Sequence, residues 1–291
     1  MDNILRPIIE EHAGRENTLG VLILEKTKIN SPLTEQCDAL LIVLKQNTGA
    51  KQLSYDVEHY DLGNSKVAVH IIEESKFLEW LSGSSHRRYL LWVLKGRILY
   101  DKDDYIANLR KGLLEFPIDI RKKKITIEFA KLIRCCSNGK ELYEGKQYLD
   151  AFNQMVQALH HLARLSVIEH GFYPEVTVWN QVKRIEPEVY ALYMELIESQ
   201  ELLDKRVHLL LLAIEFATSS RARIGSSYLV EVMKSKKEAW TISELTNDVR
   251  LKEFKIDLGL LLQYLEGKNI VKIDNQIVEG QNVYIRKYKV L

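Results

Sequence analysis

The run Cys37-Asp38-Ala39-Leu40-Leu41-Ile42-Val43-Leu44 is apolar and opens with a single acid. Side chains alternate faces along a strand, so Asp38 and Leu40 point the same way. Two carboxylates at that spacing would clamp magnesium against a triphosphate, because hard cations take oxygen ligands. Leucine at the second position cannot ligate a metal. Asp38 is therefore the one candidate metal ligand, and the expected cofactor is at most a weak magnesium that keeps most of its waters. A second apolar run, Val67-Ala68-Val69-His70-Ile71-Ile72, carries one imidazole. His70 is read either as a hydrogen-bonded core histidine or as a ligand or general base beside Asp38.

Other chemistry-bearing groups are more scattered. His160 and His161 are adjacent, so they diverge on a helix rather than converging on one metal, and zinc needs three or four convergent ligands. Arg87-Arg88 and Arg121-Lys122-Lys123-Lys124 are the clearest basic clusters. Either could line an anion-binding cleft, and the second also reads as a solvated helix start. Three cysteines, two of them the neighbours Cys135 and Cys136, give no CxxC metal spacing and no disulfide framework. Small buried thiols in a reducing cytosol are the expectation, which places the chain in the cytoplasm.

Elements that position these groups follow from periodicity. The chain has 291 residues, 46% hydrophobic and 28% charged, enough for two or three cores. A net charge of +1 supplies no bulk attraction for nucleic acid or anionic membranes. No apolar run reaches the roughly 18 residues of a membrane span, and Met1-Asp2-Asn3-Ile4-Leu5-Arg6-Pro7 is unlike a signal peptide. Residues 1–118 read as a mixed α/β domain: a helix over Asn3–Ala13, strands at 19–24, 39–44, 55–60 and 66–72, then helical segments and a return at Arg97–Asp101. Residues 119–224 switch to helical stripes, an all-α bundle. In residues 225–291, Thr241-Ile242-Ser243-Glu244 fits a capping box, and helices are followed by a ribbon around Glu279-Gly280-Gln281. That is the layout of a small winged helix-turn-helix.

The order helix, strand, polar connection, acid-led strand, third strand and Gly96-Arg97-Ile98-Leu99-Tyr100-Asp101 resembles the nucleotidyltransferase superfamily, in its minimal and kanamycin-type branches. With the bundle and winged helix added, the chain resembles the YgxA-type nucleotidyltransferase-like proteins of bacilli over nearly its whole length. The resemblance implies Gly-Ser after the first strand, where backbone amides meet phosphates. Glu25-Lys26 stands there. It implies three metal acids, and aligns them with Asp38, Leu40 and a position near His70. It also implies a catalytic base from the helical domain, for which Glu169 is the candidate.

The expected function is accordingly a nucleotidyltransferase-like protein with an eroded metal site. It would bind a nucleotide or other anionic small molecule between its first two domains, through Glu25, Lys26, Arg87 and Arg88, with little or no catalysis. One alternative is an active magnesium-dependent transferase acting on a small hydroxylated acceptor or a protein. Another is a ligand-responsive regulator whose winged helix meets protein or DNA. If DNA is the partner, Arg286, Lys287 and Lys289 on the ribbon are the phosphate contacts, since Asp257 and Glu266 lie on the recognition helix.

Overall fold

Apolar runs without alternation suit strands covered on both faces. Two of them, β1 (Thr18–Glu25) and β2 (Ala39–Lys45), form the middle of a five-stranded sheet. The computed structural model describes residues 2–27, 31–47, 54–63, 65–82, 87–254, 257–277 and 284–291. The chain divides into two units, Met1–Pro117 with Glu175–Thr177, and Ile118–Pro174 with Val178–Leu291.

In the first unit, β3 (Tyr55–Leu62) and β4 (Ser65–Glu73) join as an antiparallel pair, and β5 (Arg97–Asp101) closes the far edge. Their turn includes Gly63 at φ +67°, a conformation that costs glycine little. The order is β3-β4-β2-β1-β5. β2 runs antiparallel to β1 and parallel to β4. Val21, Ile23, Ala39, Leu41, Val43, Val67 and Val69 share one face, where Leu5 of α1 (Asp2–Ala13) packs on them. Leu22, Leu24, Leu40, Ile42, Ala68 and His70 occupy the opposite face. On that side lie α2 (Glu74–Ser82) and α3 (Arg87–Lys95), which bring Trp80 and Trp92 to Tyr55 and His70.

After β5, α4 (Tyr105–Glu115) starts where the Asp101 carboxylate accepts from the amides of Ile106 at 2.7 Å and Ala107 at 3.0 Å. Those two bonds occupy donors that a helix start leaves free. Sequence periodicity did not foreshadow α4, because only Ile106 is buried in it.

The second unit is built on α5 (Ile118–Glu144), α6 (Tyr148–Glu169) and α9 (Leu203–Gly225), with α7 (Val178–Ile185) and α8 (Pro187–Glu198) between the last two. Phe129, Leu132, Met155, Leu159 and Leu162 are wholly buried, each contributing about 1.5–3 kcal/mol. At the end of α9, a Cβ on Gly225 would lie 2.4 Å from the Phe129 ring, so only glycine lets α9 approach α5 this closely.

The C-terminal part of this unit comprises α10 (Ser227–Met233), β6 (Trp240–Thr241), α11 (Ile242–Asn247), α12 (Leu258–Gly267), β7 (Val271–Ile277) and β8 (Tyr284–Val290). The strand order is β6-β8-β7. The capping box is formed: Thr241 accepts from the Glu244 amide at 3.1 Å, and Glu244 accepts from the Thr241 amide at 2.6 Å. This is the mixed sheet, helical middle and small helix-turn-helix end that the sequence leads one to expect. Among the described residues, no helix is long and apolar enough to cross a membrane.

Candidate functional site

β1, β2 and β4 end together at one edge of the sheet, and backbone bonds set their register there. The Lys26 amide donates to the Asp38 carbonyl at 2.8 Å, and the Asp38 amide donates to the Lys66 carbonyl at 2.7 Å. These bonds continue the pairings Glu25↔Ala39 and Ala39↔Val67 by one residue. Lys26, Asp38 and Lys66 therefore form one row on a single face of three adjacent strands. The Asp38 carboxylate also accepts from the Lys66 amide at 2.9 Å. Lys26 and Lys66 are exposed, and Asp38 is half-buried. Glu25 is exposed at the end of β1, and alternation puts it on the other face.

The next row on that face is Leu24, Leu40 and Ala68, nearly or fully buried. The third is Leu22, Ile42 and His70. The positions beside Asp38 and Leu40 on β4 are thus Lys66 and Ala68, while His70 lies four residues further in, roughly 13 Å along the strand. Asp38 and His70 are not brought together. A two-metal centre needs further carboxylates beside Asp38, and Leu40, Lys66 and Ala68 stand there instead, so this donor set does not fit it. Among the described residues, no group of three or more His, Cys, Asp or Glu side chains is placed to hold a metal ion.

His70 belongs instead to a buried polar-aromatic cluster. Its Nδ1 is 2.9 Å from the Tyr55 hydroxyl, and its Nε2 is 3.6 Å from a Glu35 carboxylate oxygen. The rings of His70 and Trp92 lie 4.7 Å apart, and Trp80 stacks on Tyr89 at 4.1 Å. Burial pushes the imidazole pKa down, although the Glu35 carboxylate opposes it. Burial also pushes the Tyr55 phenol up to about 12. Glu35 and Gln36 hold φ of 51° and 68°, left-handed values that non-glycine residues adopt at a cost of about 1–3 kcal/mol each. In this backbone, Glu35 reaches both His70 and the Arg88 guanidinium. Arg88 is thereby matched by a carboxylate of the chain itself. The Arg87 side chain lies outside the described residues.

In the second unit, Glu169 at the end of α6 accepts from Arg221 Nε at 3.0 Å, and the same guanidinium donates to Glu186. Burial pushes the Glu169 carboxyl up, with Arg221 opposing. His161 pairs with buried Glu128 at 2.7 Å, and His160 packs against Trp179 at 5.2 Å. Two lysines in the basic run of α5 are also matched: Lys122 lies 3.0 Å from Glu231, and Lys123 lies 2.7 Å from Glu253.

On the ribbon, Lys287 stands opposite Asp274, Lys289 opposite Lys272, and Arg286 opposite Asn275. Alternation puts Lys287 and Lys289 on one face and Arg286 on the other. Sequence reasoning missed Lys66, Glu35 and Tyr55. Only the strand register brings Lys66 to Asp38, but two lysines bracketing apolar strands were a signal available in the chain.

Residues 1–121 match the Nucleotidyltransferase-like family, 122–221 the YgxA-like substrate binding domain and 227–290 the Helix-turn-helix domain. The protein YgxA of Bacillus subtilis (strain 168) is 43% identical over 288 residues, spanning 99% of this chain and 97% of that one. The chain belongs to the YgxA family. A crystal structure of a nucleotidyltransferase-like protein from Exiguobacterium sibiricum 255-15 shares the whole YgxA-like architecture. It has a TM-score of 0.80 and 36% identity, covering 100% of this chain and 99% of that one. In this YgxA-like chain the nucleotidyltransferase-like sheet therefore carries Lys-Asp-Lys at its edge, backed by an apolar row.

Proposed function

We propose that this protein binds a nucleotide, or a small molecule with similar phosphate groups, at the edge of its first sheet, without a metal and without nucleotidyl transfer. The observation that carries the reading is the row Lys26-Asp38-Lys66, followed by Leu24-Leu40-Ala68. Two ammonium groups flank the single carboxylate, so phosphate charge can be met directly by the protein. Leu40 and Ala68 offer no ligand through which magnesium could stabilise a displacement at phosphorus. Calorimetric titration of the intact protein with ATP tests the site. Lys26→Ala and Lys66→Ala should each weaken binding at least fivefold, while Glu25→Gln should not weaken it. Unchanged affinity in both lysine variants, or no heat with millimolar ATP, contradicts the proposal.

A second reading concerns the helix-turn-helix. Its recognition helix, α12, is packed on the bundle: Asp257 pairs with Arg134 of α5 at 3.0 Å, and Tyr264 meets Phe129 edge-on at 5.8 Å. Leu258, Leu261, Leu262 and Leu265 are buried, and the residues of α12 left exposed are Gly259, Gln263, Glu266 and Gly267. Among the described residues of α12 none of these is a cation that could neutralise phosphate, and Lys268, just past its end, donates to the Ser219 hydroxyl at 2.7 Å; Lys255 lies outside the described residues. The module then acts as an internal brace rather than a DNA reader. Intact protein should give no salt-dependent retention of duplex DNA at 50 mM salt. Retention that Lys287→Ala and Lys289→Ala reduce would contradict this.

A further inference from the structure

The outer side of α12 closes a cavity of about 540 Å³ against α5 and α9. That size lies within the roughly 300–1,000 Å³ typical of small-molecule sites. The inner wall is apolar and buried or half-buried, made by Ile133, Leu211, Leu260 and Tyr264. The mouth is different. Three exposed carboxylates, Glu141, Glu144 and Glu215, stand there with one ammonium, Lys140. Among the described residues, no ion pair takes up any of the three acids. Tyr143 also lines the mouth and stacks on His208, ring centres 5.5 Å apart and 26° from parallel.

We infer that this cavity is a binding site for a compact amphipathic cation, an apolar or aromatic body carrying an ammonium or quaternary nitrogen. The body enters between Ile133, Leu211 and Leu260, removing apolar surface from water. The positive charge lies within reach of the mouth carboxylates, which attract it across the short distance. An anion of the same shape meets the acids instead. Because Leu260, Gln263 and Tyr264 belong to α12 while the other walls are α5 and α9, an occupant touches both the bundle and the recognition helix. Binding therefore holds α12 in its docked place. This site lies wholly within the second unit and does not depend on the nucleotide reading.

Tetraphenylphosphonium and tetraphenylborate have the same shape and opposite charge, which makes them suitable probes. In equilibrium dialysis with the intact protein, the phosphonium should bind one site at least tenfold more tightly than the borate. Leu212, 53% exposed at the mouth, can carry a larger ring without disturbing the core. Leu212→Trp should weaken phosphonium binding at least tenfold. Glu141→Gln with Glu215→Gln should bring the two ions within about threefold. Phosphonium should slow amide exchange across 258–267. Equal binding of the two ions by the wild-type protein overturns the inference, as does no binding. So does phosphonium affinity that ignores Leu212→Trp, or binding that leaves exchange in α12 unchanged.

Discussion

Asp38 and Lys66 are joined twice across adjacent parallel strands: the Asp38 amide donates to the Lys66 carbonyl, and the Lys66 amide donates to the Asp38 carboxylate. The acid that a transferase would use for metal here serves the backbone of the neighbouring strand. Asp38→Ala should therefore lower stability by about 1 kcal/mol, the usual net value of such a bond. Asp38→Asn keeps an acceptor oxygen and should cost less. Urea denaturation of both variants checks this, and equal losses would show that the carboxylate's contact with Lys66 does not matter.

His70 makes stability depend on pH in a fixed direction. Burial lowers its pKa in the folded chain below the ordinary 6.5, against the pull of Glu35 and with Arg88 and His59 adding to the lowering. The unfolded chain thus binds the proton more readily, so this stabilisation is complete above about pH 6.5 and is lost as pH falls through the folded value. Urea midpoints should drop between pH 7 and pH 5, and His70→Gln should flatten the drop. His12, also lowered mainly by burial, acts with the same sign and leaves a residual slope. A slope identical in wild type and His70→Gln would contradict the assignment.

Glu128 behaves as a buried ion-pair member. Burial opposes its charge, but the hydrogen bond from His161 and the cations around it carry its pKa down to about 2. Its stabilisation is present above the ordinary 4.5 and is lost as pH falls toward 2. Glu128→Leu removes the carboxylate that His161 and Arg164 share and should cost about 3–5 kcal/mol at neutral pH. Thermal unfolding of the variant measures it. A loss below about 1 kcal/mol would mean that the pair contributes little.

Local signals were legible in the sequence, and long-range ones were not. Unbroken apolar stretches marked β1 and β2 because both of their faces are covered, and Thr241 with Glu244 marked α11 because a capping box is complete within four residues. The candidate site is different in kind. Lys66 stands beside Asp38 only through strand register across 28 residues, and Glu35 reaches His70 only through left-handed backbone. Glu169 lies among helix ends in sequence, yet its partners Arg221 and Glu186 come from α9 and the start of α8. The basic run at Arg121–Lys124 reads as solvated, whereas Lys122 and Lys123 meet acids more than a hundred residues away. Pairing of that kind depends on tertiary packing and leaves no periodic trace.

The central claim is that the edge row Lys26-Asp38-Lys66 receives phosphate without a metal. Its most direct test is one calorimetric comparison, ATP titrated into the intact protein in excess EDTA and again in excess magnesium, with pyrophosphate assayed in both. The account requires binding in EDTA at least as tight as in magnesium, and no pyrophosphate in either. Binding that appears only with magnesium, together with pyrophosphate release abolished by Asp38→Ala, would contradict it.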